Sequence, residues 1–192
     1  MIKTIKFDYF SVNDEFDIQY DDGVSWSRIY EYDFVIKQLL LDEDIKNKKI
    51  HNTCWGFTGI HTQFKNNLEK ICDNVLSSDI RESDEPNTIV YDITTANSEM
   101  YEQFDYVINV STLEHIDTMG HNEIILNQLL QVKNGGYLII TFDLPRADLN
   151  AIEKLLGVKI LKRGEMLNGK NSKVPNLKYD TLNCGKLVLQ KL

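Results

Sequence analysis

Cysteine and proline are both scarce, three of each in 192 residues. Cys54, Cys72 and Cys184 are odd in number and lack metal-ligand spacing, which argues against a disulfide framework and a zinc ribbon. They read as reduced thiols in a cytoplasm. No stretch approaches the roughly 18 unbroken apolar residues of a membrane-spanning helix. The opening segment MIKTIKFDYFSVNDEFD has neither the apolar core nor the small-residue cleavage site of a secretory signal. Basic charge is also in deficit. Lysine and arginine number 21 against 29 acids, for a formal net charge of -8. Such a chain repels phosphate backbones, so nucleic acid is not an expected partner, and without an apolar span neither is a membrane. Internal repeats and low-complexity segments are missing too.

What remains is an ordinary globular composition, 42% hydrophobic, enough for one core. A single domain over 1–192 is expected, with 1–45 as an N-terminal cap and 46–192 as the main body. Residues 1–24 are polar and aromatic, with Asp21-Asp22-Gly23 as a turn. Ser25 to Leu41 reads as a helix with Ile29, Phe34, Ile36, Leu39 and Leu40 on one face. A short strand, Lys49 to Thr53, runs into Cys54-Trp55-Gly56-Phe57-Thr58-Gly59, and a helix follows over 60–72. Strands are expected at Asn74 to Ser78, ending at Asp79, and at Thr88 to Tyr91, ending at Asp92.

The stretch FDYVINVSTLEHID, 104–117, begins as a buried strand with β-branched Val107, Ile108 and Val110. It ends by delivering Ser111, Glu114 and His115. A helix over Asn122 to Val132 is stopped by Asn134-Gly135-Gly136, and Tyr137 to Phe142 is apolar on both faces, as a central parallel strand should be. Ala147 to Leu156 reads as a helix ended by Gly157. Val158–Leu161 and Lys186–Gln190 read as strands joined by a long loop without a crossover helix, hence an antiparallel pair.

Strands alternating with helices imply an α/β fold: a three-layer αβα, Rossmann-like arrangement of seven mostly parallel strands with an antiparallel last strand. Ligands of such sheets bind beyond the carboxyl ends of the strands. Those ends carry Gly56 and Gly59, Asp79, Asp92, Ser111 to His115, and Thr141 to Asp143. Asp79 follows Gly56 by 23 residues, near the spacing at which an acid accepts hydrogen bonds from ribose hydroxyls. A nucleoside-containing ligand is the expectation.

FDYVINVSTLEHI, followed some twenty residues later by GGYLIITF, resembles the fourth and fifth strands of class I S-adenosylmethionine-dependent methyltransferases. The resemblance covers about residues 26–192 and is strongest over 104–142. Within that superfamily the chain is similar to small methyltransferase-like proteins of sugar and surface-polysaccharide pathways. The resemblance implies S-adenosylmethionine as cofactor and a small polar acceptor. It also implies a cofactor site drawn from Asn52, Cys54, Gly56, Gly59, Asp79, Asp92, Ile93 and Ser111. Asp79 would hold the ribose, and Asp92 the adenine amino group with Ile93 against the ring. His115, a side-chain type suited to proton transfer near neutrality, would be the catalytic base. In related enzymes the segment before the first strand covers the cofactor, which would let Arg28 or Tyr32 meet the methionine carboxylate.

The departures are specific. The family's acid followed by G-x-G-x-G is here H-N-T-C-W-G-F-T-G: Asn52 stands for the acid, Cys54 for the first glycine, and Thr58 or a displaced Gly59 for the third. This leaves a non-catalytic nucleoside-binding or regulatory module as the alternative. A nicotinamide oxidoreductase is disfavoured by the missing G-x-G-x-x-G.

Residue chemistry alone offers plainer readings as well. Ser111 with Glu114 is S-x-x-E, a capping box that would start the helix after the fourth strand. Asp79 and Asp92 would serve as strand-end or turn acids, and His51 and His61 as polar packing beside the glycine turn. His115, Asp117 and His121 do not share a helical face, so no metal site is expected there.

Overall fold

The structure, a computed structural model, describes residues 1–19, 25–56, 59–116, 120–162, 164–173 and 183–192, with the side chains of Trp26 and Ile60 excepted. The expected turn at Asp21-Asp22-Gly23, together with Thr58 and Asp117, lies outside the described residues.

The elements run β1 (Ile2–Tyr9), α1 (Trp26–Leu39), β2 (Lys49–Thr53), α2 (Gly59–Ile71), β3 (Asn74–Asp79), β4 (Thr88–Val90), β5 (Phe104–Val110), α3 (His121–Gln131), β6 (Val132–Leu144), α4 (Leu149–Leu156) and β7 (Asn183–Lys191). They form one seven-stranded sheet in the order β1-β7-β6-β5-β2-β3-β4. Strands β2 to β6 pair in parallel, and β7 is antiparallel to β6, with Tyr137 opposite Gln190 and Leu144 opposite Asn183. The expected return strand is therefore present and runs in the expected direction.

Its outer neighbour is different from the sequence-based expectation. Val158–Leu161 is not a strand of the sheet; Leu161 makes one isolated bridge to Asp8 and donates its N–H to the Phe7 carbonyl at 3.0 Å. The place beside β7 is taken by β1, paired antiparallel from Ile2 opposite Lys191 to Tyr9 opposite Gly185. The N-terminus wins because Phe7 and Phe10 are both buried, whereas Val158 and Leu161 remain exposed. Strand β6 also starts earlier than expected. Val132 already pairs with Phe104, and the register shift that follows absorbs Gly135, at φ 84°, within the strand. The two glycines thus accommodate an irregularity in the strand and do not separate it from the helix.

Two cores lie on opposite faces, as the period-2 geometry of strands requires. Tyr106, Ile108, Ile139 and Val188 point to the face covered by α1 and α2, packing with Val35, Leu39, Phe64 and Leu68. Val107, Leu138, Ile140, Leu187 and Leu189 point the other way, to Ile124, Ile125 and Leu129 of α3 and Ile152 of α4. Helix α4 is capped by Asp148, which accepts from the Ala151 N–H at 3.0 Å, and ended by left-handed Gly157.

One buried polar group sets a pH limit on this packing. His51 is fully buried in β2, bridging Gln131 Oε1 at 2.6 Å and Ser78 Oγ at 2.8 Å. Burial pushes its pKa down to about 4, against a partial rise from the Gln131 bond. The unfolded imidazole takes up its proton near the ordinary value of about 6.5, the folded one only near the lowered value. The fold therefore binds fewer protons across that window and is expected to lose stability as pH falls through it, by about 3 kcal/mol at most. Thermal melts between pH 7 and pH 4 check this: a folded His51→Gln variant should show a shallower fall than the parent chain.

Candidate functional site

The strand order reverses between β2 and β5: from β2 the chain builds outward through β3 and β4, then returns to place β5 on the other side of β2. A crevice opens at the carboxyl end of such a reversal. Here it is a cavity of about 360 Å³ lined by Arg28, Tyr32, Asn52, Thr53, Cys54, Trp55, His61, Phe64, Asp79, Ile80, Arg81, Val110, Ser111, Thr112 and His115. The sequence-derived candidates Arg28, Tyr32, Asn52, Cys54, Asp79, Ser111 and His115 meet in that one lining.

The turn after β2 keeps the backbone shape that glycine ordinarily supplies. Cys54 adopts φ 55° and Gly56 φ 87°, both left-handed. Cys54 holds that left-handed shape at a conformational cost, since it carries a Cβ. Gly56 has no such latitude, because a Cβ there would meet the His61 ring at 2.7 Å. Gly56→Ala is expected to cost more than about 1 kcal/mol, read as a lowered melting temperature, since strain and clash add. Gly59 opens α2.

Asp79, at the end of β3, is held in place by three N–H donors. Its Oδ2 accepts from the Gly56 N–H at 3.1 Å, and its Oδ1 from the Arg81 N–H at 3.2 Å and Nε at 3.1 Å. Arg81 also donates to the Gly56 carbonyl at 2.9 Å, tying the turn to the acid. The Arg81 side chain is 60% exposed, so this clasp faces solvent. Asn52 is buried and donates to Ser77 Oγ at 3.4 Å. Burial, followed by the charge of Asp79, pushes the Cys54 thiol up to about 12, so it is not a thiolate.

The opposite wall comes from α1. Tyr32 stacks on Phe64 with ring centroids 4.1 Å apart and hydrogen-bonds His61 Nδ1. Burial, then the Arg28 and Arg81 cations, lowers the His61 pKa to about 4, leaving it neutral near pH 7. Arg28 donates to Glu31 at 2.6 Å and to the Ser111 carbonyl at 3.4 Å. Burial opposes its charge, but Glu31, Tyr32 and Asp143 outweigh that, and the guanidinium is held more firmly protonated than usual.

The capping-box reading of Ser111 and Glu114 is overturned. Ser111 sits at φ 43° and its hydroxyl donates to Glu31, eighty residues away. Both Glu114 carboxylate oxygens are buried without a hydrogen-bond partner. The turn Leu113–His115 has no side-chain cap, and α3 starts later, at His121, after Gly120. His115 is exposed at the cavity rim. His121 is turned away to another task, accepting from the Asp148 N–H at 2.8 Å.

Asp92 and Ile93 do not line the cavity. Asp92 Oδ1 accepts from the N–H and hydroxyl of Thr94, closing a turn, and Ile93 is buried in the core on the α3 face. Conversely, Ile80 and Arg81 line the site and went unread in the sequence. They directly follow Asp79, and reading two residues past the strand end would have found them. Glu31 was missed within an aromatic stretch in which only Arg28 and Tyr32 drew notice.

No protein-family model matches the chain, and no curated protein sequence is significantly similar to it. Solved structures do match. The methyltransferase CalH, crystallised with S-adenosylhomocysteine, superposes with a TM-score of 0.57 at 13% identity, over 87% of this chain and 57% of its own. The N-methyltransferase NodS of Bradyrhizobium japonicum WM9, also with S-adenosylhomocysteine, gives 0.52 at 14% identity, over 88% and 89%. The [4+2]-cyclase SpnF gives 0.57 at 13% identity, over 97% and 87%. The chain thus spans little more than half of CalH and most of the other two. With β7 antiparallel in an otherwise parallel sheet and a crevice at the β2/β5 reversal, this chain has the fold of the class I S-adenosylmethionine-dependent methyltransferases.

Proposed function

We propose that this protein is an S-adenosylmethionine-dependent methyltransferase acting on a small polar acceptor, a sugar or surface-polysaccharide precursor being the class we favour. The observation that carries the reading is the convergence of Asn52, Cys54, Asp79, Ser111 and His115 on one crevice at the strand-order reversal. The residues fit the cofactor: a left-handed turn for close backbone approach, a strand-end acid for a ribose diol, and Arg28 for a carboxylate. A volume of about 360 Å³ also falls within the usual range of small-molecule sites, roughly 300 to 1,000 Å³. Asn52, Cys54, Gly56 and Gly59 would frame the methionine end, and Ser111 would close it. Asp92, outside that lining, would hold the adenine amino group, with Ile93 against the ring.

S-adenosylmethionine, when bound, supplies an already activated sulfonium methyl. The protein's work is then alignment and water exclusion. His115, at the rim where an acceptor enters, would take the proton of an attacking hydroxyl. The neutral His61, bonded to Tyr32, holds the turn and is not that base.

The test is acceptor-dependent formation of S-adenosylhomocysteine across sugars, nucleotides and small metabolites, paired with Asp79→Ala. Removing Asp79 takes away charge-assisted hydrogen bonds worth about 1.5 to 3 kcal/mol, so S-adenosylhomocysteine should bind roughly tenfold or more weakly. Unchanged affinity in a folded variant would take Asp79 out of the site. The second reading, a nucleoside-binding module without transferase activity, is favoured by the Arg81 clasp already engaging Asp79. Tight cofactor binding with no product from any acceptor would select it.

A further inference from the structure

Behind the Ser111 wall of the cavity lies a second group of side chains that the methyltransferase reading leaves unused. Glu31 from α1, Asp143 from β6 and Cys184 from β7 each bring one donor atom to a common point, all three lying within 4.8 Å of one another. All three residues are buried, Glu31 and Cys184 completely. Carboxylates are rarely buried without a compensating partner, because desolvation penalises the charged form heavily. Here the compensation is partial. Arg28 and Ser111 donate to Glu31, and the Cys184 thiol lies 3.0 Å from Asp143 Oδ1 as its donor.

A further acid makes the imbalance plain. Glu114 is 8% exposed, and neither carboxylate oxygen has a hydrogen-bond partner. The charged groups it faces are those of the same cluster, Asp143 and Glu31, together with Arg28. Three acids therefore share the influence of the Arg28 guanidinium, and the carboxylate oxygens of Glu114 accept from no neighbouring side chain. A buried polar group left in this way calls for an explanation.

We propose that Glu31, Asp143 and Cys184 bind one divalent transition-metal ion of the zinc class. Two carboxylate oxygens and a thiolate form a mixed donor set suited to zinc or cobalt, and too soft for magnesium or calcium. Binding exchanges the thiol S–H bond for a metal–sulfur bond and releases one proton to solvent. Each carboxylate oxygen has two lone-pair positions, so Glu31 can keep Arg28 and Ser111 while ligating. The ion would tie α1 to β6 and β7, fixing the Arg28 and Ser111 wall. The inference is independent of the cofactor reading.

The test uses the intact chain, stripped with a chelator and titrated with cobalt(II) and zinc(II). One cobalt per chain should bind, with a thiolate-to-cobalt absorption band in the near ultraviolet, and zinc should raise the melting temperature. Asp143→Asn and Cys184→Ser should each weaken uptake by roughly 100-fold or more, and Cys184→Ser should abolish the band. Cys72→Ser should change nothing. Failure of the parent chain to take up a stoichiometric ion overturns the proposal without any variant. Uptake that shows no band, or that persists undiminished in folded Asp143→Asn and Cys184→Ser proteins, overturns it equally. None of these readouts uses S-adenosylmethionine, so the outcome is separable from that of the transferase reading.

Discussion

His115→Asn is expected to slow methyl transfer by roughly 10²- to 10⁴-fold while leaving the melting temperature and cofactor affinity close to those of the parent. The separation follows from where the side chain sits. His115 is exposed at the cavity rim, so little packing is lost with the ring, whereas its neighbours Leu113 and Glu114 are buried. Kinetics per folded molecule, taken with a melt of the same sample, check the prediction. A variant that turns over normally would sink the general-base role and leave alignment as the protein's contribution. Glu114→Gln is an informative companion. It keeps the shape but removes an ionisable group that has no hydrogen-bond partner, so the fold should tolerate it well.

Phe10→Ala is expected to destabilise the chain by about 3 to 5 kcal/mol, the range for truncating a buried phenylalanine. Phe10 follows β1, donates its N–H to the Cys184 carbonyl at 2.9 Å, and packs edge-on against Phe34 of α1 with centroids 5.7 Å apart. The Lys186 ammonium lies over its ring at 4.6 Å. Loss of the ring would leave a cavity where β1, β7 and α1 meet. Denaturant unfolding of parent and variant measures the difference. A change within about 0.5 kcal/mol, the scale of an ordinary surface substitution, would mean that the N-terminal strand is dispensable to the body of the fold.

The parallel centre of this sheet was legible because its signals are local. In β5 the run Val107, Ile108 and Val110 is β-branched, and in β6 Leu138, Ile139 and Ile140 are apolar on both faces, as strands buried on both sides must be. The edge was not legible. Lys3, Thr4 and Lys6 of β1 look polar in isolation, and their partner strand begins at Asn183, at the far end of the chain. No local pattern reports a pairing of that sequence separation. Val158–Leu161 offered the better local signal and lost to a strand that brings Phe7 into the core.

The site divides in the same way. Strand ends locate Asn52, Asp79, Ser111 and His115, because the ends of parallel strands converge by geometry alone. Asp92 and Ile93 stand outside that lining, since β4 is a three-residue edge strand and lies beyond β3, away from the reversal. Ser111 and Glu114 mislead for a further reason. Their spacing is that of a capping box, yet Ser111 serves Glu31, a contact across eighty residues. The convergence of Glu31, Asp143 and Cys184 was equally invisible, since each lies on a different element and none stands in a spaced motif.

The central claim is that the crevice at the β2/β5 reversal binds S-adenosylmethionine, and isothermal titration of the intact chain tests it most directly. The expected result is one molecule of S-adenosylmethionine or S-adenosylhomocysteine per chain, weakened roughly tenfold or more by Asp79→Ala, with no heat from NAD. Saturable binding of NAD with none of either sulfur nucleoside would contradict the account.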